Sequence, residues 1–278
     1  FKVSNQAQIE LSPPENPKAS MDNADTVADM IQWGATDFPA DKYGLVIVGH
    51  GGGPLFGYGG GDQLNPGNGI SGLGFQKLMN QAMKYTGKKI EFLGLNSCLM
   101  SYYELASGIS ESTNYLIASE ENVPFDGFDF TALFNYLSRT PDADGSQVGK
   151  RIVNSFIEKN KAQSTITLSV SDLSRTALVQ TALDPIFKTL TQKIKLEGLP
   201  AWHAIASARS QALDFGTSIY TSQPIDAMDM ASFFRVPRYS GLGISANLRQ
   251  NALAAIDSLA PLKRWGKAMK ETCGMTMY

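Results

Sequence analysis

The chain has 278 residues, enough to bury a sizeable core as one large α/β domain or two smaller ones. An apolar fraction of 43% and a charged fraction of 18% are typical of an ordinary globular protein and exclude a disordered one. A net charge of −2, two widely separated cysteines and no long apolar run give no reason to expect a nucleic-acid partner, a disulfide framework or a membrane span.

The predicted elements alternate between helix and strand along the chain. An amphipathic pattern predicts a helix over residues 23–36, and a β-branched run then predicts a buried strand over residues 43–48. Eight of the next thirteen residues are glycine, which predicts a loop. The remaining elements of this part are a helix over 75–87, a strand over 90–95, a helix over 99–108, a strand over 115–118, a helix over 146–161 and a strand over 165–170.

This alternation predicts right-handed crossovers and a parallel sheet between layers of helices. Beyond residue 172 the pattern is mostly helical, over residues 176–197 and 201–215. Because no linker, repeat or low-complexity tract divides the sequence, we expect residues 1–278 to form a single α/β domain with a helix-rich C-terminal part from about residue 173. In such sheets, chemistry is found at the carboxyl ends of the strands.

Reactive side chains stand just beyond the ends of two predicted strands. His50 follows the first strand inside the glycine cluster, and Cys98 follows the strand over residues 90–95. If these strands are parallel neighbours, the two side chains emerge at the same edge of the sheet, where an imidazole favours the thiolate of a cysteine nucleophile. Because Cys98 is expected to open the helix over residues 99–108, the helix dipole would stabilise that thiolate further. The backbone N–H groups of Gly51 and Cys98 are candidates for an oxyanion hole.

Each of these residues also has a purely structural interpretation. Cysteine is among the most frequently buried residue types, so a cysteine at a strand end is by default a small core residue. His50 alone would be an ordinary buried imidazole. The chain has only two histidines, however, and one of them inside a glycine cluster at the end of a buried strand favours a functional role. The other, His203, falls on a predicted helix and is interpreted as structural, and Cys273 is left without a role.

Several stretches of the sequence resemble the clostripain family of cysteine peptidases. They are Pro39-Ala40-Asp41-Lys42-Tyr43 with the strand and the His50-Gly51 pair after it, Asn96-Ser97-Cys98-Leu99-Met100, residues 118–129 and residues 225–230. Four matches in the same order are far more specific than a single His-Gly pair. The resemblance implies a caspase-like α/β sandwich with a mostly parallel central sheet, and an endopeptidase in which His50 and Cys98 form the catalytic dyad.

The resemblance also implies how substrates are selected. Family members cleave after basic residues, mainly Arg, because acidic groups line the pocket for the side chain before the scissile bond. Asp126 matches one of those acids, and a buried carboxylate there would bind a guanidinium through two parallel hydrogen bonds. Without the resemblance, Asp126 before Gly127 would be interpreted as a turn residue.

Two positions beside the dyad depart from the family pattern. Members usually carry Asp two positions before the cysteine, where this chain has Asn96, and often Asp just before the histidine, where it has Gly49. We therefore expect Asn96 to belong to a substrate-binding site with weakened or altered selectivity for basic side chains. The alternative is a catalytically silent caspase-like domain that binds peptides or proteins. The sequence identifies no third residue that would orient His50.

The remaining expectations follow from the resemblance. We expect a peptide or protein substrate, and secretion or attachment to the cell envelope. Some relatives depend on calcium, but no site is found: a loop that begins at Asp142 carries Val153 at the twelfth position, where a calcium loop needs Glu.

The strand and helix that usually precede a hairpin, here at residues 8–11, are missing. Either the sequence leaves them out, or the chain is the larger product of proteolytic maturation and its partner is an N-terminal fragment of the same precursor.

Overall fold

The computed structural model describes residues 20–59, 69–216, 226–236, 241–269 and 271–278. The helices in this part of the chain are α1 (Ala24–Asp37), α2 (Gly53–Phe56), α3 (Gly72–Thr86), α4 (Tyr103–Ile109), α5 (Phe130–Arg139), α6 (Gly145–Lys159), α7 (Thr176–Glu197), α8 (Leu199–Arg209), α9 (Met230–Arg235) and α10 (Ala246–Leu259). The strands are β1 (Gly44–Val48), β2 (Tyr58–Gly59), β3 (Gly69–Ile70), β4 (Ile90–Asn96), β5 (Thr113–Ala118), β6 (Thr167–Asp172), β7 (Asp214–Phe215), β8 (Ala227–Asp229), β9 (Leu262–Trp265) and β10 (Thr276–Met277).

A five-stranded sheet in the order β1-β4-β5-β6-β9 runs through the fold. Strands β1, β4 and β5 are parallel, whereas β6 is antiparallel to β5, and β9 is antiparallel to β6. Four of the five strands therefore point the same way, which confirms a mostly parallel sheet. Strand β6, predicted as a further parallel strand, is the exception. A second sheet, β10-β8-β7, is small and antiparallel.

Apolar side chains are buried on both faces of the large sheet. On one face, helices α1, α3, α4, α7 and α10 enclose a core that includes Leu93 and Leu95 of β4. On the other face, α5 and α6 pack over Phe92 of β4 and Ile117 of β5. Burial of each such side chain stabilises the fold by about 1.5–3 kcal/mol. The two layers around a mixed sheet confirm the predicted α/β sandwich.

Three predicted segments differ from the structure. The glycine-rich loop after β1 contains the short helix α2 and strand β2. The helix expected over residues 201–215 corresponds to α8, which ends at Arg209. The helix expected over residues 99–108 begins only at Tyr103, because the chain first passes through a turn in which Leu99 has a φ of 63°. The hairpin predicted at residues 8–11 lies outside the described residues.

Candidate active site

The register of two neighbouring strands determines where His50 and Cys98 lie. Strands β1 and β4 pair in parallel with Val48 opposite Asn96, and the Gly49 N–H extends the ladder by donating to the Asn96 carbonyl over 3.4 Å. His50 and Cys98 each follow two residues beyond that last pair. Both residues therefore follow the carboxyl edge of the sheet, His50 exposed and Cys98 half-buried.

Gly51 lies against the main chain of Cys98. A Cβ atom added at Gly51 would lie 2.1 Å from the Cys98 carbonyl oxygen, so only glycine fits at this position. Gly51 also faces Tyr58 across a short antiparallel bridge, whose hydrogen bonds run from Gly52 N–H to Gly57 O and from Gly59 N–H to the His50 carbonyl. The Gly51 N–H thus points away from this bridge and makes no backbone hydrogen bond within the described part of the chain.

The Cys98 thiol is held by the loop that follows β5. The Val123 N–H donates to Cys98 Sγ over 3.3 Å, and the thiol faces the Val123 carbonyl at 3.9 Å. Burial raises the pKa of the Cys98 thiol, the Val123 backbone lowers it, and the carboxylate of Glu121 raises it again. Burial is the largest of these contributions, and the net shift of the pKa is upward, which disfavours the thiolate.

The expectation that a helix dipole stabilises the thiolate is wrong. Helix α4 begins at Tyr103, five positions after Cys98, and the effect of a dipole falls off within the first turn. The turn between Cys98 and α4 is stabilised instead by main-chain bonds. The Leu99 N–H donates to the Glu121 carbonyl over 3.3 Å, and the Ser101 N–H donates to the Ser119 carbonyl over 2.9 Å.

Asn96 contacts the turn that contains Asp126. Asn96 is 8% exposed at the end of β4, and its Oδ1 accepts a hydrogen bond from the Phe128 N–H over 3.2 Å. The turn closes through a bond from Gly127 N–H to the Pro124 carbonyl, with φ of 50° at Gly127. Asp126 is exposed, not buried as a strongly selective pocket acid would be. The turn directly follows Val123, so Asp126 and Asn96 are both close in sequence to residues of the thiol site.

A model of the clostripain family matches residues 1–230 of the chain. The chain belongs to the clostripain family. It is therefore a cysteine peptidase, a hydrolase that acts on peptides, and the alternative of a silent binding domain is not supported. No curated protein matches the sequence.

Solved structures similar to this clostripain-family chain have low sequence identity. A secreted C11 cysteine protease from Bacteroides thetaiotaomicron in complex with an irreversible peptide inhibitor is 15% identical, with a TM-score of 0.67 over 92% of this chain and 71% of that one. An inactive zymogen C11 protease from Parabacteroides distasonis is also 15% identical, with a TM-score of 0.64 over 92% of this chain and 69% of that one. At such identities the likeness supports the fold alone.

One cluster of ionisable side chains in this clostripain-family chain was not anticipated from the sequence. Ligand atoms of Glu120, Asp229 and Cys273 all lie within 4.8 Å of one another, and all three residues are buried. Calcium takes six to eight oxygen ligands, so two carboxylates and a sulfur do not fit it. Residues 118–129 and 225–230 include the two acids but gave no signal of their pairing, which joins positions more than 100 residues apart.

No helix within the described residues has the length and apolarity that a membrane span requires.

Proposed function

We propose that Cys98 is the nucleophile and His50 the general base of peptide-bond hydrolysis. The observation that carries this proposal is the register of β1 and β4, which sets both residues two positions beyond the same strand pair. The raised pKa of the Cys98 thiol is consistent with it, because a general base then assists formation of the thiolate. His50, exposed at this edge, is free to receive that proton and to meet a substrate.

The reaction proceeds in two halves. His50 takes the thiol proton, and Cys98 Sγ attacks the peptide carbonyl carbon to form a tetrahedral oxyanion, which the N–H groups of Gly51 and Cys98 stabilise. His50 then gives its proton to the leaving amine as the C–N bond breaks, leaving a thioester. Water, deprotonated by His50, attacks the thioester, and the thiol regains its proton as the carboxylic product leaves.

We further propose cleavage after basic residues with relaxed selectivity. Asp126 offers one carboxylate for a Lys or Arg side chain, but its exposure to water weakens a single ion pair. Asn96 offers an amide where the resemblance implies a second acid. Preference for Arg over neutral side chains is therefore expected to be smaller than two carboxylates would give.

An active-site-directed label tests the dyad. The intact chain is treated with an acyloxymethyl ketone probe that carries Arg, and the modified residue is mapped by mass spectrometry, which separates Cys98 from the buried Cys273. We expect labelling at Cys98, loss of peptide cleavage in Cys98→Ala and His50→Ala, and full cleavage in His203→Ala, which changes the other histidine. Cleavage that survives Cys98→Ala would overturn the proposal.

Other expectations remain proposals. We propose secretion or attachment to the cell envelope, supported by the relatives described as secreted, and fractionation of the producing cells tests it. An N-terminal fragment of the same precursor is proposed as a partner, and mass spectrometry of the native protein would detect it. One domain over residues 1–278 predicts a single cooperative unfolding transition. Calcium dependence is tested by comparing cleavage with and without a chelator.

A further inference from the structure

A segment far downstream in the chain binds the turn that carries Cys98. We define the C-terminal segment as residues 272–276. Ser101, three positions after Cys98, is fully buried, and its carbonyl accepts hydrogen bonds from the Thr276 N–H over 2.9 Å and from Thr276 Oγ1 over 3.0 Å. Ser101 Oγ in turn donates to the Gly274 carbonyl over 2.7 Å. The C-terminal segment thus fixes one side of the turn that carries Cys98.

The same segment holds the loop on the other side of the sulfur. The Gly274 N–H donates to Glu120 Oε2 over 3.0 Å. Glu120 directly precedes Glu121, whose carbonyl accepts from the Leu99 N–H, and Val123 in this loop contacts Cys98 Sγ. A displacement of Glu120 would therefore move the backbone up to Val123, and with it the contacts of Val123 with Cys98 Sγ.

Asp229 connects Glu120 to the C-terminal segment. Its Oδ2 accepts from the Cys273 N–H and its Oδ1 from the Ser232 N–H, each over 2.6 Å. Burial, and then the charge of Asp229, raise the pKa of Glu120 well above its usual range, whereas hydrogen bonds from Thr272 and from the Gly274 N–H lower it. A raised pKa favours the protonated form of Glu120, and in that form the carboxyl has an O–H to donate to Asp229.

We propose that the Glu120–Asp229 carboxyl pair is a positioning device for the nucleophile. It fixes the C-terminal segment against both the Cys98 turn and the loop after β5, so that the sulfur is held in line with His50. The inference rests on the proposed role of Cys98. Neither acid touches the thiol, so both are positioning residues rather than catalytic ones. Each Asp229 oxygen accepts one backbone N–H, so the carboxylate is fixed in place and keeps acceptor capacity for Glu120.

The test compares two substitutions of Glu120. Glu120→Gln keeps an oxygen for the Gly274 N–H and supplies an N–H to Asp229, so it mimics the protonated acid. Glu120→Ala removes both bonds. We expect Glu120→Gln to cleave an Arg peptide at close to the wild-type rate. We expect Glu120→Ala to lower kcat by about 10²-fold with little change in KM, since a misplacement of about 1 Å costs that much.

A matched control separates positioning from general damage. Glu91 Oε2 accepts from the Gly145 N–H over 3.1 Å, the same type of bond at the opposite end of β4. Glu91→Ala should lower thermal stability without changing kcat. Binding of an Arg peptide to Cys98→Ala with and without Glu120→Ala should be equal, which shows that the second variant is folded.

The outcomes distinguish this inference from the proposed function. If wild-type cleavage does not depend on Cys98, the proposed function fails. If cleavage depends on Cys98 but Glu120→Ala is as active as wild type, or Glu120→Gln is as impaired as Glu120→Ala, the positioning inference fails. Equal losses of kcat in Glu120→Ala and Glu91→Ala would also overturn it, because the effect would then be general.

Discussion

The side-chain amide of Asn96 supports the turn at Gly127 from below. Its Oδ1 accepts the Phe128 N–H over 3.2 Å, and a Cβ atom added at Gly127 would lie 2.4 Å from its Nδ2. Asn96 therefore stabilises the turn that presents Asp126 at the surface. A residue two positions before Cys98 therefore determines the shape of the proposed substrate site even though it carries no charge.

Restoring an acid at position 96 should sharpen selectivity. Asn96→Asp keeps an oxygen for the Phe128 N–H and adds a negative charge against the turn that contains Asp126. We expect the ratio of kcat/KM for Arg over norleucine peptides to rise about tenfold, equivalent to about 1.4 kcal/mol. Asn154→Asp adds the same charge at an exposed position on α6 and should leave the ratio unchanged. An unchanged ratio in Asn96→Asp would contradict the assignment of this site.

A methyl group at Gly127 should disrupt the turn itself. Gly127→Ala combines a left-handed φ of 50° with a clash against Asn96, whereas Gly87→Ala has a φ of 71° and nothing within 4 Å of the added Cβ. Left-handed strain costs about 1–2 kcal/mol in either variant. We expect urea denaturation to show a larger loss of stability for Gly127→Ala, and only that variant to lose kcat/KM for Arg peptides.

Gly51→Ala tests the proposed oxyanion hole. The new Cβ would push against the Cys98 carbonyl and move the Gly51 N–H, and we expect kcat to fall by about 10²-fold. Gly145→Ala is the matched control, because its Cβ would lie 2.3 Å from the Glu91 carbonyl at the far end of β4. Overpacking should lower the stability of both variants by about 1–3 kcal/mol, measured by thermal unfolding. Retention of full kcat in Gly51→Ala would argue against an oxyanion hole there.

Glu121→Gln should make the thiol react at lower pH. Burial is the main reason why the pKa of Cys98 is raised, and the Glu121 carboxylate raises it further by disfavouring a second negative charge. Removal of the Glu121 charge lowers the pKa of the Cys98 thiol. A larger fraction of Cys98 is then thiolate at a given pH. Iodoacetamide alkylation measured from pH 5 to 9 should therefore shift to lower pH. Glu158→Gln, which removes an exposed carboxylate from α6, should leave the profile in place.

The sequence alone was sufficient to predict the two strands that precede His50 and Cys98. The run from Leu45 to Val48 and the run from Ile90 to Leu95 are short, apolar and bounded by turns, which leaves little ambiguity about their ends. The direction of β6, in contrast, could not be predicted from the sequence. A strand buried on both faces has the same apolar pattern whether it runs parallel or antiparallel to its neighbour.

The predicted helix after Cys98 begins at residue 99, whereas α4 begins at Tyr103, and the difference has a physical reason. Apolar residues at Leu99, Met100 and Tyr102 resemble the buried face of a helix, but here they are buried by a turn with left-handed backbone at Leu99. Tertiary hydrogen bonds to distant segments stabilise that turn, and sequence periodicity contains no signal for them. The turn at Asp126 was likewise evident from the Gly127 that follows it, but the exposure of the Asp126 side chain was not predictable from the sequence.

The bonds between Ser101 and Thr276 join residues 175 positions apart. A ribosome adds about 5–20 residues per second, so about 10–35 s of synthesis separate these two residues. Shortly before the end of that time the nascent chain already contains His50, Cys98 and the loop after β5, but Gly274 and Thr276, which both bond to Ser101, have not yet been added. The turn after Cys98 therefore reaches its final hydrogen bonding only after nearly all of the described fold has been translated.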